Sequence, residues 1–451
     1  MDRRRHELVE RRDHWLLGSL PAFRDDRLNF FEDNALLAPI VRFRLGPKPV
    51  YFLSDPELIQ DVLVTQHQHL ARDPTARRIF APTMGNGLLS SDGAYWKRQR
   101  RMIAPAMHLR RVQQYADLMV GHATDATGRW HDGQQADVER EMDRLTLAIV
   151  TDALFRLDGA GHADVVAETI TALQQIGNRQ LAQLVLLPTW MPTPDNLKQR
   201  RLSRRLRRLI MAAVQDRRAA PTGGDDLLTV MVESTDAETG EQMTDEQICD
   251  EVITLHLAGY DTTALSLTSC WYQMALQPEI EARFHDELER VLEGRPPELA
   301  DMEQLDYTQR VFKEALRLYP PAYFAVRLVA QDIEIGGHPI PAGSILMTSS
   351  YAMHRKPELW DEPGRFDPER FVNNAEQGWP RFKYFPFGGG PRICIGNQFA
   401  LLEGPLILAT IGQRYRFELL HPRQRLELDP QITLGPKGGM PLRFRRREPV
   451  V

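Results

Sequence analysis

Cysteine is nearly absent from this chain, with three in 451 residues at positions 249, 270 and 394. Three thiols, two of them inside one predicted helix, cannot build a disulfide framework, which points to a reducing compartment and a core held by burial alone. Long apolar runs are also missing. After Met1-Asp-Arg-Arg-Arg-His the first hydrophobic piece is Trp15-Leu-Leu-Gly-Ser-Leu20, far short of the roughly 20 residues that a membrane span needs. Strong charge imbalance is lacking too, since a net charge of -5 gives no global attraction for nucleic acid or an anionic membrane. Nothing reads as a linker, because Pro/Gly-rich pieces such as Ala219 to Asp226 are short and lie within helical context. The expectation is one mostly helical domain over 1–451, with 1–30 as an N-terminal extension and no transmembrane anchor.

What is present concentrates in Tyr384 to Gly404, above all in Phe387-Gly388-Gly389-Gly390-Pro391-Arg392-Ile393-Cys394-Ile395-Gly396. Three consecutive glycines free the backbone from Cβ sterics, so it can turn tightly and lie against a flat partner. A large flat cofactor is implied. Beyond Gly396 the run Asn397-Gln-Phe-Ala-Leu-Leu-Glu reads as a helix, which places Cys394 just before a helix N-terminus, where the dipole and unpaired N–H groups favour a thiolate. The plainer alternative is a buried free cysteine in a Gly-rich loop.

Along the chain, Val41-Arg-Phe-Arg-Leu and Pro49-Val-Tyr-Phe-Leu alternate around Gly46-Pro47-Lys48 and read as a hairpin. Asp55-Pro56-Glu57 opens a helix to about Gln66, and His67 and His69 are read as surface or capping residues. Arg72 to Ser91 reads as a long apolar loop. Trp96 and Arg100 are four apart, on one face of a helix reaching Pro105. Leu181 to Pro192 is apolar and reads as a mobile lid or as core. Lys198 to Arg208 holds seven basic residues of eleven and is read as a solvated face. Thr244 to Gln247 fits a capping box, opening a helix that runs to Pro278 and carries Ala258-Gly259-Tyr260-Asp261-Thr262-Thr263 at its centre. A Gly/Thr kink in a core helix is the bland reading of that centre. His256 lies on a different face from Thr262. Strands are expected at Ile333 to Ile335 and Ser344 to Ser350 flanking the Gly336-Gly337 turn, and at Gln431 to Gly435.

The decapeptide resembles the haem-binding loop of the cytochrome P450 family, Phe-x-x-Gly-x-Arg-x-Cys-x-Gly, through Phe387, Gly390, Arg392, Cys394 and Gly396. The resemblance spans about residues 30 to 445 and includes Trp96-x-x-x-Arg100, Ala258-Gly259-x-Asp261-Thr262 and Glu314-x-x-Arg317 with Arg370. It implies the family's mainly helical prism around buried haem b, with a small β-rich side. It further implies Cys394 as axial iron thiolate, with Phe387, Gly388 and Gly396 in the cofactor loop. Trp96, Arg100, Arg327 and Arg392 would hold haem propionates. Ala258 and Gly259 would let the helix pass over the iron and bulge, while Asp261 relays protons and Thr262 hydrogen-bonds bound oxygen. Glu314, Arg317 and Arg370 would form a structural triad.

The activity implied is monooxygenation, inserting one atom of O2 into a lipophilic substrate by hydroxylation or epoxidation. Terpenoid or carotenoid and fatty acid stand level as substrates, with apolar Ala258, Ala322, Phe324, Ala325 and Ile432 at the expected pocket. Electrons would come from a separate ferredoxin or flavodoxin with its reductase, docking where Arg98, Arg101, Arg110 and Arg111 could lie. The chain resembles bacterial, cytoplasmic and monomeric members. A haem-thiolate peroxygenase or isomerase, or a non-catalytic haem sensor or carrier, is the alternative; Asp261-Thr262 favours the monooxygenase.

Overall fold

The computed structural model describes residues 7–155, 160–182, 190–219 and 226–447. The chain divides into two compact units, each assembled from several segments: 1–73, 310–395 and 433–435 in one, and 74–309, 396–432 and 436–451 in the other.

The first unit holds a six-stranded sheet in the order Leu8–Glu10, Ile40–Leu45, Lys48–Leu53, Ile345–Thr348, Ala325–Val329 and Leu70–Ala71. Its hairpin is the expected one. Leu45 pairs with Lys48 across a two-residue connection, and Gly46 adopts φ +60°, which a residue with a Cβ rarely takes. Ile40, Tyr51, Leu53, Leu58, Ile59, Leu346 and Phe385 pack into one buried cluster beneath the sheet. Asp55 caps the Pro56–Gln60 helix by accepting from the N–H groups of Glu57 and Leu58, and one π-helical turn, Asp61–Thr65, follows. His67 Nδ1 meets Val64 O at 2.8 Å, consistent with a capping residue.

Helix Asp306–Leu318 presents Glu314 and Arg317 to this unit with both side chains fully buried. Arg317 Nε and Nη2 donate to the two Glu314 oxygens at 2.7 Å each, and its remaining N–H groups donate to the carbonyls of His354, Pro363 and Arg365 at 2.7, 2.8 and 2.8 Å. Arg370 Nε lies 3.4 Å from Glu314, completing the expected triad.

In the second unit the long helix Asp245–Leu276 opens with the capping box, Thr244 and Gln247 bonding reciprocally. It is buried along most of its length, and helices Val138–Phe155, Pro194–Ala219 and Asn397–Gly412 pack around it. Trp271 wedges against Phe284 and Phe417 at one end. A three-stranded sheet, Tyr415–Leu419, Pro441–Arg446 and Gln135–Asp137, closes that end.

Four expectations are corrected. Arg72 to Ser91 is not one loop, because Pro74–Met84 is helical. Pro74 sits in the first turn, where its missing N–H costs nothing, Pro82 falls in the last turn, and Gly85 at φ +61° closes the helix through its N–H to Ala81 O. The Gly336-Gly337 turn returns through His338–Ile340, while Ile345–Thr348 joins the large sheet instead. The C-terminal strand lies at Leu434–Pro436, three residues beyond the expected start. The bulge expected at Ala258-Gly259 is absent, since the long helix runs unbroken from Asp245 to Leu276. Of the proposed lid, residues 183–189 lie outside the described residues.

The buried pair generates a prediction. Arg317→Lys keeps the charge but loses the planar fork that meets five acceptors, leaving buried carbonyls and a carboxylate unpaired. Urea denaturation should show a loss of about 3 kcal/mol or more; a change within about 0.5 kcal/mol, the range of ordinary surface substitutions, would contradict the assigned role.

Candidate active site

In the first unit the cysteine loop follows Phe385, whose N–H donates to His354 Nε2 at 2.9 Å. His354 Nδ1 in turn meets Arg317 O at 3.0 Å, so Nδ1 carries the proton and the ring is neutral. Burial pushes its pKa well below the usual histidine value, and the Arg317 charge adds to this. The triad is thereby hydrogen-bonded through His354 to the start of the loop. This histidine was not singled out in the sequence, because it lies 37 residues from Arg317 and 31 from Phe385.

The loop is pinned by Gly388 N–H to Phe385 O at 3.0 Å, Ile393 N–H to Gly390 O at 3.1 Å and Cys394 N–H to Phe387 O at 2.9 Å. Gly388 and Gly390 take φ +71° and +67°. A Cβ on Gly390 would collide with the carbonyl of Leu63, and one on Gly389 with the Phe382 ring, so these glycines are required by close packing. At Gly388 a Cβ would meet nothing within 4 Å. Cys394 and Ile393 are exposed, and Arg392 and Phe387 are half-buried. Arg327, also half-buried, donates from Nη1 to Val326 O at 2.8 Å on its own strand.

Gly396 caps helix Asn397–Gly412 in the second unit, so Cys394 stands two residues ahead of the cap, as the sequence indicated. A Cβ at Gly396 would likewise meet open space. Helix Gly93–Ile103 is capped by Asp92 and buries Trp96, with the Arg100 guanidinium 5.8 Å from its ring centre. Arg98 and Arg101 do not offer free charge for docking. Arg101 grips the buried Asp236 carboxylate at 2.7 and 2.9 Å and holds its pKa far below the usual range, and Arg98 reaches Glu241 at 3.0 Å. Arg110 is exposed and Arg111 half-buried.

Within the long helix every residue from Ile248 to Met274 is buried except Leu257, Ala258, Gly259 and Thr262. Between Ile248 and Met274 the helix is therefore uncovered only at and just before the predicted motif. Thr262 Oγ1–H donates to Ala258 O at 3.0 Å, which fixes the rotamer and leaves the oxygen's lone pairs available. Asp261 Oδ1 accepts from Gln174 Nε2 at 2.6 Å, and the Tyr260 hydroxyl donates to Gln174 Oε1. Helix Val138–Phe155 is tied to the same turn by Thr146 Oγ1, which donates to Tyr260 O at 3.0 Å. On that helix Glu139, Asp143 and Thr146 share a face. Burial pushes the Asp143 carboxyl up to about 8, and the neighbouring Asp261, Glu139 and Asp137 charges add to it. Burial also raises Glu139, to about 7. Nearby, Glu403 is fully buried beside Thr263 and pushed up to about 8 by desolvation. His256 is a core residue, buried against Thr151 and driven down to about 3 by desolvation.

These features fit haem b. The cysteine loop offers an exposed sulfur donor beside glycines where a Cβ would meet open space. Such a sulfur ahead of a helix N-terminus is a natural iron ligand.

Residues 10–443 match the sequence model of one family, Cytochrome P450. The chain is 38% identical to "Cyclooctatin synthase" of Streptomyces melanosporofaciens, covering 95% of this chain and 90% of that protein. It is 34% identical to "Cyclooctat-9-en-7-ol 5-monooxygenase" of the same organism, covering 89% and 87%, and 32% identical to "Pentalenene oxygenase" of Streptomyces avermitilis, covering 86% of each. Among solved structures, the heme domain of cytochrome P450DA superposes with TM-score 0.87 at 26% identity over 98% of both chains. The unbroken match, the fold and the cysteine loop agree: the chain belongs to the cytochrome P450 family and is a haem b monooxygenase.

Proposed function

We propose that the chain hydroxylates a terpenoid, with Cys394 as the iron ligand and Asp261-Thr262 as the proton-handling pair. The observation that carries this reading is the uncovered stretch inside the buried span Ile248 to Met274 of the long helix, at Leu257 to Gly259 and Thr262, with the acid of the pair held by the Gln174 amide. The relatives named for cyclooctatin, cyclooctat-9-en-7-ol and pentalenene support the terpenoid class over fatty acids. Apolar Ala258, Phe324, Ala325 and Ile432, each half-buried, suit a hydrocarbon skeleton.

When bound, haem supplies the iron that activates O2 and inserts one oxygen atom into the substrate. Cys394, Phe387, Gly388, Arg392 and Gly396 would hold it from the loop side, with Trp96, Arg100 and Arg327 toward its carboxylates. The chain's own work is proton control. Gln174 fixes the Asp261 carboxyl through Oδ1, and Tyr260 fixes Gln174, so the acid does not wander. Thr262 Oγ1 needs only a rotation of its hydroxyl hydrogen away from Ala258 O to donate elsewhere. Asp143 and Glu139 keep protons near neutral pH and lie electrostatically coupled to Asp261, forming a supply behind it. Electrons come from a separate ferredoxin or flavodoxin with its reductase, and the protein works as a cytoplasmic monomer.

Two outcomes are expected. Thr262→Ala should lower product formed per reductant consumed, with the balance appearing as peroxide, and Asp261→Asn should slow turnover by about 100-fold; unchanged product per reductant in Thr262→Ala would contradict the pair. Separately, Asp143 is raised from 3.8 to about 8, so the folded chain retains a proton that the unfolded chain releases, and stability falls as pH rises between those values. Asp143→Asn should therefore gain stability relative to the parent between about pH 5 and about pH 8, read from urea midpoints. A constant offset at every pH would contradict the assignment.

A further inference from the structure

Helix Pro194–Ala219 carries charge that the reaction does not use. Its inward face consists of Asn196, Gln199, Ser203, Leu206, Ile210 and Val214. Its outward face repeats at helical spacing, with Lys198, Arg201, Arg205 and Arg208 lining an open groove together with Leu202 and Leu209. Among the described residues no carboxylate stands within ion-pair distance of Lys198, Arg201, Arg204, Arg205 or Arg208, whereas Arg207, at the flank, is taken by Asp250. Arg179 takes the nearby Asp195 at 2.8 Å. Cations four apart, as in Arg201 with Arg205 and Arg204 with Arg208, repel one another and destabilise a bare helix. Uncompensated repulsion on this scale, in a chain of net charge -5, favours an external anionic surface over water alone as its partner.

Aliphatic and aromatic groups are interspersed with the cations. Leu197 is 51% exposed, and Trp190, just before the helix, is 74% exposed. We propose that this face docks the protein on an anionic phospholipid bilayer. The arginines and Lys198 contact headgroup phosphates, while Trp190, Leu197, Leu202 and Leu209 reach the boundary with the acyl chains. Attachment is peripheral, since among the described residues no helix is long and apolar enough to cross a membrane. A helix whose outward face mixes cations with apolar side chains matches an interface that is charged above and apolar below. An acidic protein partner would leave the exposed tryptophan and leucines without a role.

The test is co-sedimentation of the full-length, haem-loaded protein with vesicles of phosphatidylcholine alone or with one third phosphatidylglycerol. Binding is expected only to the anionic vesicles, and it should vanish near 1 M salt, where the screening length is about 3 Å. The variant R201E/R205E/R208E should bind about 100-fold more weakly or worse, with an unchanged haem spectrum as the fold control; R201Q/R205Q/R208Q serves if the reversals disturb folding. Trp190→Ala should weaken binding at low salt, but less than the charge reversals do. Equal binding to both vesicles, full binding by the charge variants, or binding to soluble polyglutamate without binding to vesicles would each overturn the proposal.

Discussion

The first unit depends on one buried guanidinium. Arg317 has five N–H groups, and all are satisfied by the two Glu314 oxygens and three carbonyls drawn from residues 354, 363 and 365. A charge removed from water is tolerable only when such partners replace its hydration. The same requirement pulls distant segments together, because those carbonyls belong to loops with little regular structure of their own. Glu314 is likewise saturated, accepting the Asp367 N–H at 2.8 Å and facing Arg370. His354 carries this order onward to Phe385 and hence to the cysteine loop, whose backbone lies so close to Leu63 that only glycine fits at position 390. A rigid cysteine thus rests on a chain of hydrogen bonds beginning at an ion pair.

In the second unit the corresponding constraint is the long helix, whose burial leaves one stretch uncovered between Ile248 and Met274. Packing the helix on nearly all sides requires small or apolar residues, yet Asp261 is buried there too. Its carboxyl is oriented by a glutamine amide that donates to Oδ1. The Asp261 charge in turn helps raise the proton affinity of Asp143 and Glu139 beside it.

Much of this was legible in the sequence where the signal is local. The glycine loop, the capping box at Thr244, the hairpin at Gly46 and the i,i+3 pair at Glu314 each lie within a few residues and report their own geometry. Gln174, Tyr260, His354 and Asp143 were not legible, because their partners arrive through the fold; Gln174 and Asp261 are 87 residues apart. The helix at Pro74–Met84 was hidden by its prolines, which mark loops unless they fall in a first or last turn. Arg98 and Arg101 looked like docking charges because Asp236, their partner, lies 135 residues from Arg101. Charge runs declare their sign in sequence, and only the fold shows whether acids answer them.

The account rests on Cys394 acting as a thiolate ligand. The carbon monoxide difference spectrum of the reduced, haem-loaded protein tests that most directly. The strongly red-shifted band of a thiolate-ligated haem, lost in Cys394→His, is the predicted result. A band of the histidine-ligated or thiol-ligated type from the intact protein would contradict the account.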